Sequence, residues 1–268
     1  MPELLLWGAS LLLLIVVMSL AWFVQWRTGQ GAWVDTLWTF GVGAAGLLVA
    51  LWPLGDGDLQ FRQGAVAGLI ALWSLRLGGH LLERAIKGAP DERYEGLKRE
   101  WGDRAQPMLF GFLMLQAGAG ALLVVSLLVA ARNPAPGPTL TDMVGVVIML
   151  AALWGEATAD WQLAQFKADP ANRGKVCDVG LWSWSRHPNY FFEWLGWCAW
   201  PVMAIELGGQ WPWGWLALTA PVYIYWLLNH VSGVPPLEAH MRQTRPDAFA
   251  AYAARTSRFF PRPPKRPG

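Results

Sequence analysis

The chain has 268 residues, 54% of them hydrophobic and only 15% charged, with 19 tryptophans and a formal net charge of +2. Soluble domains carry about 25% charged residues, so the composition excludes an ordinary soluble enzyme and points to an all-α integral membrane protein. The two cysteines, Cys177 and Cys198, suggest by neither number nor spacing a disulfide framework or a metal site, and no metal is expected.

A helix crosses a hydrocarbon core roughly 30 Å thick with about 20 residues, and about seven charge-poor stretches approach that length. The first, 4–24, follows Met-Pro-Glu, lacks a basic n-region and stays apolar for longer than a signal-peptide core, so it reads as a retained helix. The second, 34–54, carries Asp35 near its start and the run GVGAAG, formally G-x-G-x-x-G at Gly41, Gly43 and Gly46. No strand precedes that run, so close helix packing through small residues is expected in place of a dinucleotide fold. Gly64, just ahead of the third stretch, 65–82, and Gly68 inside it form a small-xxx-small pair with the same reading, and the stretch also carries Arg76 and His80. The charged loop from Glu83 to Arg104 reads as a cytoplasmic helix or hairpin. The fourth stretch, 108–131, is apolar, and the fifth, 143–163, carries Glu156 and Asp160. The sixth, 190–207, starts beside Asn189 and contains Glu193, and the seventh, 213–231, ends at Asn229 and His230. Pro201, Pro212 and Pro221 interrupt or flank these last two. A cytoplasmic tail, 232–268, closes on PRPPKRPG, which reads as a disordered end.

Of the 21 Lys and Arg residues, eighteen fall in loops 1–2, 3–4 and 5–6 and in the tail, whereas the opposite loops hold only Arg62 and Arg132. The positive-inside rule then puts the N-terminus outside and the C-terminus in the cytoplasm, and an odd number of spans agrees. An ionised side chain at the centre of a membrane helix costs roughly 2.5 to 3.5 kcal/mol on insertion scales, so such groups usually face the protein interior and carry a function. Here nearly all lie in the cytoplasmic half. Arg76 with His80, Glu156 with Asp160 and Asn189 with Glu193 are spaced i,i+4 and share helix faces. One cytoplasmic pocket lined from several helices is expected, with packed polar ties between helices as the alternative. A transporter would set its site near the midplane on discontinuous helices, so one-sided clustering favours an enzyme or a receptor.

The loop after the fifth stretch offers Lys167, Arg173, Lys175 and Arg186, residues suited to neutralising phosphates. Pro188 suits the first turn of a helix, whose free N–H groups also attract anions. A phosphate-rich cofactor held from the cytoplasm is expected, against ordinary positive-inside charge with anionic lipid binding. His187 and His240 lack the partner spacing of a metal site.

The run GEATADWQLAQFKADPANRGKVCDVGLWSWSRHPNYFFEW, followed by SGVPPLEAHM and YAARTSRFFP, resembles the bacterial DUF1295 family within the steroid 5-alpha-reductase superfamily. The VDTLW and LWSLRLGGHLLER segments are similar more loosely. RHPNY alone is less specific, since isoprenylcysteine carboxyl methyltransferases and sterol reductases carry similar elements. The resemblance implies a seven-helix reductase that holds NADPH between its C-terminal helices and cytoplasmic loops and reduces the Δ4 double bond of a 3-oxo steroid. Carried over by motif, Glu156, Asp160, Lys167, Asn172, Arg173, Lys175, Arg186, His187, Asn189, Tyr190 and Glu193 would form the cofactor site, with Tyr223, Asn229 and Glu238 as additions. The eukaryotic enzymes associate a Gln-Glu pair on the second helix and a Tyr on the third with the substrate carbonyl. This chain departs from that pattern: its second helix offers Asp35 without a neighbouring Gln, and its third offers Arg76 and His80 in place of Tyr. A buried Asp kept protonated by desolvation can donate a hydrogen bond, so Asp35 is the first candidate for polarising the ketone and His80 the next, with Arg76 beside them. A purely structural Asp35–Arg76 link is the alternative. The competing functions are an S-adenosylmethionine-dependent methyltransferase and a non-catalytic sterol-binding protein. The expected setting is a bacterial inner membrane, with membrane lipids and a steroid or other enone lipid as partners and no nucleic acid.

Overall fold

The computed structural model describes residues 2–53, 59–88 and 91–264. They form helices and loops, with one isolated β-bridge between Ser185 and Ser257 and no strand among the described residues. In chain order the α-helices are α1 Pro2–Thr28, α2 Ala32–Leu51, α3 Phe61–Ile86, α4 Glu92–Trp101, α5 Ala105–Ala131, α6 Leu140–Ala168, α7 Pro188–Trp197, α8 Ala199–Ala204, α9 Thr219–Trp226, α10 Val234–Thr244 and α11 Pro246–Arg255. Among the described residues, five helical runs are long and apolar enough to cross a membrane: α1, α2, α3, the run Arg93–Ala131 that contains α5, and α6.

The sixth and seventh expected spans are not single helices, and their prolines say why. Proline has no N–H to give to the carbonyl four residues back, and its ring clashes with that carbonyl. Stretch 190–207 divides at Cys198 into α7 and α8, three residues before Pro201. Stretch 213–231 begins as a 3-10 turn, Pro212–Leu218, continues as α9 and ends as a π-turn, Leu227–Val231. Pro221 leaves the carbonyl of Ala217 without its helical donor, and the Ser126 hydroxyl supplies one at 2.9 Å.

The chain divides into two compact units, Met1–Met143 with Trp200–Thr219, and Val144–Ala199 with Ala220–Gly268. In the first, α1, α2, α3 and α5 pack together through the expected glycines. A methyl group on Gly41 would come within 3.0 Å of Val17 on α1, on Gly43 within 2.2 Å of Ser74 on α3, and on Gly46 within 2.8 Å of Leu127 on α5. Gly64 and Gly68 differ: a Cβ at Gly64 would meet only Leu59, at 3.9 Å, and one at Gly68 nothing within 4 Å, so that pair is not a close-packing site.

At the end of this unit away from Asp35, a polar knot ties the loops. Arg62 is buried and makes two 2.7 Å bonds to the buried Asp142 carboxylate, and its Nη1 reaches the carbonyls of Asn133 and Ala135. Arg132 donates to the carbonyls of Val49 and Trp52, and the Asn133 amide to that of Met203.

In the second unit, α7 lies on α6 where Gly155 meets Phe192, a Cβ there coming within 2.4 Å of the ring. The expected tail is folded. After α10 and α11 the chain returns along residues 184–186, with Arg186 N donating to Ser257 O at 2.8 Å, Ser185 Oγ to Phe259 O at 2.7 Å and Arg262 N to Trp184 O at 3.0 Å. Tyr252 Oη donates to Trp182 O at 2.6 Å. Phe259 and Phe260 complete an aromatic cluster with Phe191, Trp194 and Tyr225. Arg262 of the PRPPKRPG end thus belongs to the fold, and residues 265–268 lie outside the described residues.

Candidate functional site

In the second unit, Glu238 on α10 is 3% exposed and gathers three basic side chains. Its Oε1 forms an ion pair with Arg186 Nη2 at 3.0 Å and accepts from His187 Nε2 at 3.3 Å, and its Oε2 accepts from Arg242 Nη2 at 2.8 Å. Burial opposes the charge on Glu238, but the His187 hydrogen bond and the Arg186 and Arg258 charges outweigh it, so the carboxyl lies below the usual carboxylate range. Burial pushes His187 the other way, below the usual imidazole value, so neutral imidazole is favoured despite the carboxylate beside it. Arg186 and His187, expected at the cofactor, are thus both turned onto Glu238.

Two further polar pairs lie along α6 and α7. Asn189 Nδ2 donates to Asp160 Oδ1 at 3.3 Å, and Trp197 Nε1 donates to Glu193 Oε1 at 2.8 Å. Glu156, one turn before Asp160, is buried. Tyr190 is half-buried and stacks on His187 with ring centroids 5.7 Å apart. On the loop after α6, Asn172 caps the Phe166 carbonyl at 3.1 Å, while Lys167, Arg173 and Lys175 are exposed. Tyr223 is half-buried beside Trp226. Asn229 is buried in the π-turn, its amide bonding Tyr225 O at 3.2 Å and its own carbonyl accepting from Arg258 at 2.9 Å. These expected residues therefore fall into a tail-anchored cluster, an Asp160–Asn189 pair, a Glu193–Trp197 pair and an exposed basic loop. Asp160, Asn189 and the loop cations are hydrogen-bonding and charged groups of the kinds that hold ribose, amide and phosphate.

The first unit holds a second constellation. Asp35 sits in the first turn of α2 with its side chain 24% exposed. Its Oδ2 is bonded by Arg93 and its Oδ1 accepts from the Tyr94 hydroxyl at 2.9 Å. Arg93, in turn, also grips Asp91, the N-cap of α4. Tyr94 is 2% exposed, and its oxygen accepts from Gln116 Nε2 on α5 at 3.2 Å. The ring lies against Gly31, where a Cβ would come within 2.5 Å of Tyr94 Cβ. The Asp35 carboxylate is therefore engaged by Arg93 and Tyr94, both from the charged loop the sequence reads only as a cytoplasmic helix or hairpin. Arg76 is half-buried and His80 exposed on α3.

Tyr94, Gln116, Arg93 and Arg242 are the residues sequence reasoning misses. For Tyr94 a signal exists: Tyr94, Leu97 and Trp101 recur at i, i+3 and i+7 in an otherwise charged helix opened by an Asp cap. Chemically, a buried phenol whose proton is shared with a carboxylate and whose oxygen accepts an amide N–H is a directed hydrogen-bond donor. Among the described residues, no group of three or more His, Cys, Asp or Glu side chains is placed to hold a metal ion.

No curated protein and no solved structure matches the chain. A family model described as Protein of unknown function (DUF1295) matches residues 21–256, nearly the whole of the sequence from α1 to the end of α11, and the chain belongs to that family.

Proposed function

We propose that this protein is an NADPH-dependent reductase that saturates the carbon–carbon double bond of a 3-oxo enone lipid of the steroid type. It does so in a bacterial inner membrane that it crosses seven times, N-terminus outside and C-terminus in the cytoplasm. The observation that carries the reading is the buried Tyr94 phenol, bonded to Asp35 and Gln116 inside an apolar helical unit. An enone is reduced when its oxygen is polarised by a donor in a dry environment, and such a donor is strongest where water does not compete.

NADPH, when bound, supplies the hydride that adds to the β-carbon of the enone. Asp160 and Asn189 are suited to the cofactor's hydroxyl and amide groups, and Lys167, Arg173 and Lys175 to its phosphates. Glu238 holds Arg186 and His187, so these two fix the entry to α7. Asp35 holds the Tyr94 hydroxyl until substrate binds, and the hydroxyl then exchanges Asp35 for the substrate oxygen as its acceptor while negative charge develops there. This replaces His80 with Tyr94 as the companion of Asp35.

The proposed orientation has support beyond the count of basic residues. Arg62 and Arg132, the two exceptions to the positive-inside pattern, are both buried, one on Asp142 and the other on backbone carbonyls. They serve the fold, and the topological signal of the other cations stands undiluted.

Ligand titration of the detergent-purified protein tests the cofactor assignment. Quenching of tryptophan fluorescence by NADPH at micromolar concentration, weakened at least tenfold in Asp160→Ala, is expected. Binding of S-adenosylmethionine in its place would favour the methyltransferase, and binding of neither would favour a sterol-binding protein.

A further inference from the structure

A tyrosine hydroxyl turns about its C–O bond unless its proton and its lone pairs are both engaged. Tyr94 is engaged on both sides, giving its proton to Asp35 Oδ1 at 2.9 Å and accepting from Gln116 Nε2 at 3.2 Å. Gln116 is tied twice to this corner, because its main-chain carbonyl accepts from Trp38 Nε1 at 3.0 Å, one turn beyond Asp35 on α2. Its side-chain oxygen is buried with no hydrogen-bond partner among the described residues, so donation to Tyr94 is the bond that sets the amide's orientation.

We propose that Gln116 is a positioning residue for Tyr94 in the reduction, stabilising the charge that grows on the phenol oxygen as its proton moves to the substrate. The inference rests on the reductase reading. Hydride addition to the β-carbon turns the substrate oxygen into an enolate oxygen. The Tyr94 hydroxyl gives up its hydrogen bond to Asp35 Oδ1 for one to the enolate oxygen; its O–H bond then breaks and an O–H bond forms on the enolate, leaving phenolate beside the Gln116 N–H. The α-carbon then takes a proton from solvent, the enol O–H proton returns to Tyr94, and the substrate has gained two hydrogens. A donor fixed on the phenol oxygen lowers the barrier to the first transfer without touching the lipid or the nicotinamide. Gln116 comes from α5, so its effect is separable from the tail-anchored cluster of the second unit.

Gln116→Met removes the donor and keeps an unbranched side chain, and Gln116→Glu keeps the shape should the first variant fail to fold. The expected result is a roughly tenfold lower kcat with KM for NADPH unchanged, and no further loss when the substitution is added to Tyr94→Phe, because a residue acting through Tyr94 has nothing left to act on. The tyrosine Raman doublet of Tyr94, isolated by subtracting the Tyr94→Phe spectrum, should change its intensity ratio in either variant. Losses that multiply in the double variant, or an unaltered doublet, overturn the proposal. Wild-type protein that turns over no enone overturns the reductase reading and Gln116's catalytic role with it. The doublet still reports in that case, and a change there shows that the hydrogen bond itself is real.

Discussion

Glu238 gathers Arg186, His187 and Arg242 on one buried carboxylate. Removing one partner from a buried ion cluster leaves the others uncompensated, which typically costs about 3–5 kcal/mol. Glu238→Gln should therefore destabilise the protein by about 3 kcal/mol, near the low end of that range because Arg242 is solvent-exposed. A thermal melt in detergent measures this. The same cluster gives a pH dependence. Glu238 and His187 both have native values below their ordinary ones of 4.5 and 6.5, so the native state binds fewer protons than the unfolded chain. Their stabilising contribution is present above pH 6.5. It declines as acid protonates the unfolded His187, and declines again below pH 4.5 as Glu238 follows, so the melting temperature should fall in two stages and the Glu238→Gln variant should lose the second. Tyr94→Phe is the counterpart in the first unit. It keeps the ring that packs on Gly31 and deletes only the hydroxyl, so turnover should fall at least 100-fold, within the usual range for a general acid, while NADPH binding is unchanged.

Helices were legible in the sequence where a long apolar run meets no proline. The runs behind α1, α3, α5 and α6 fall within those helices, the run 34–54 overshoots α2, which ends at Leu51 ahead of Pro53, and the three glycines of GVGAAG do pack against three different partner helices. The two proline-bearing stretches broke into shorter turns, because a missing N–H acts locally whereas hydropathy averages over a window. The end of the tail was misread for another reason: PRPPKRPG is proline-rich and basic, and Arg262 N finds its acceptor, Trp184 O, only when the fold brings residues 184–186 to it. Tyr94 was missed because its partners are Asp35, 59 residues away, and Gln116, 22 residues away on another helix. The polar knot makes a test at this level. Arg62→Met strands the Asp142 carboxylate in a buried setting and frees the carbonyls of Asn133 and Ala135, so it should cost about 3–5 kcal/mol and lower the yield of folded protein, measured by melting and by monodispersity in detergent.

Most of the residues expected at the cofactor lie in the unit that ends the chain, and the hydrogen-bonded Tyr94–Asp35 pair lies in the unit that begins it. The orientation proposed for the whole molecule predicts that a single cysteine placed at Lys175 is labelled by an impermeant maleimide only after the membrane is opened, and one placed at Pro136 in intact spheroplasts. The central claim is the reaction itself. Detergent-purified protein incubated with NADPH and progesterone should oxidise the cofactor and give a product two hydrogens heavier, and Asp160→Ala should abolish both. Cofactor left unconsumed and steroid recovered at its starting mass, across progesterone and testosterone and with NADPH in excess, would contradict the assignment of this protein as an enone reductase.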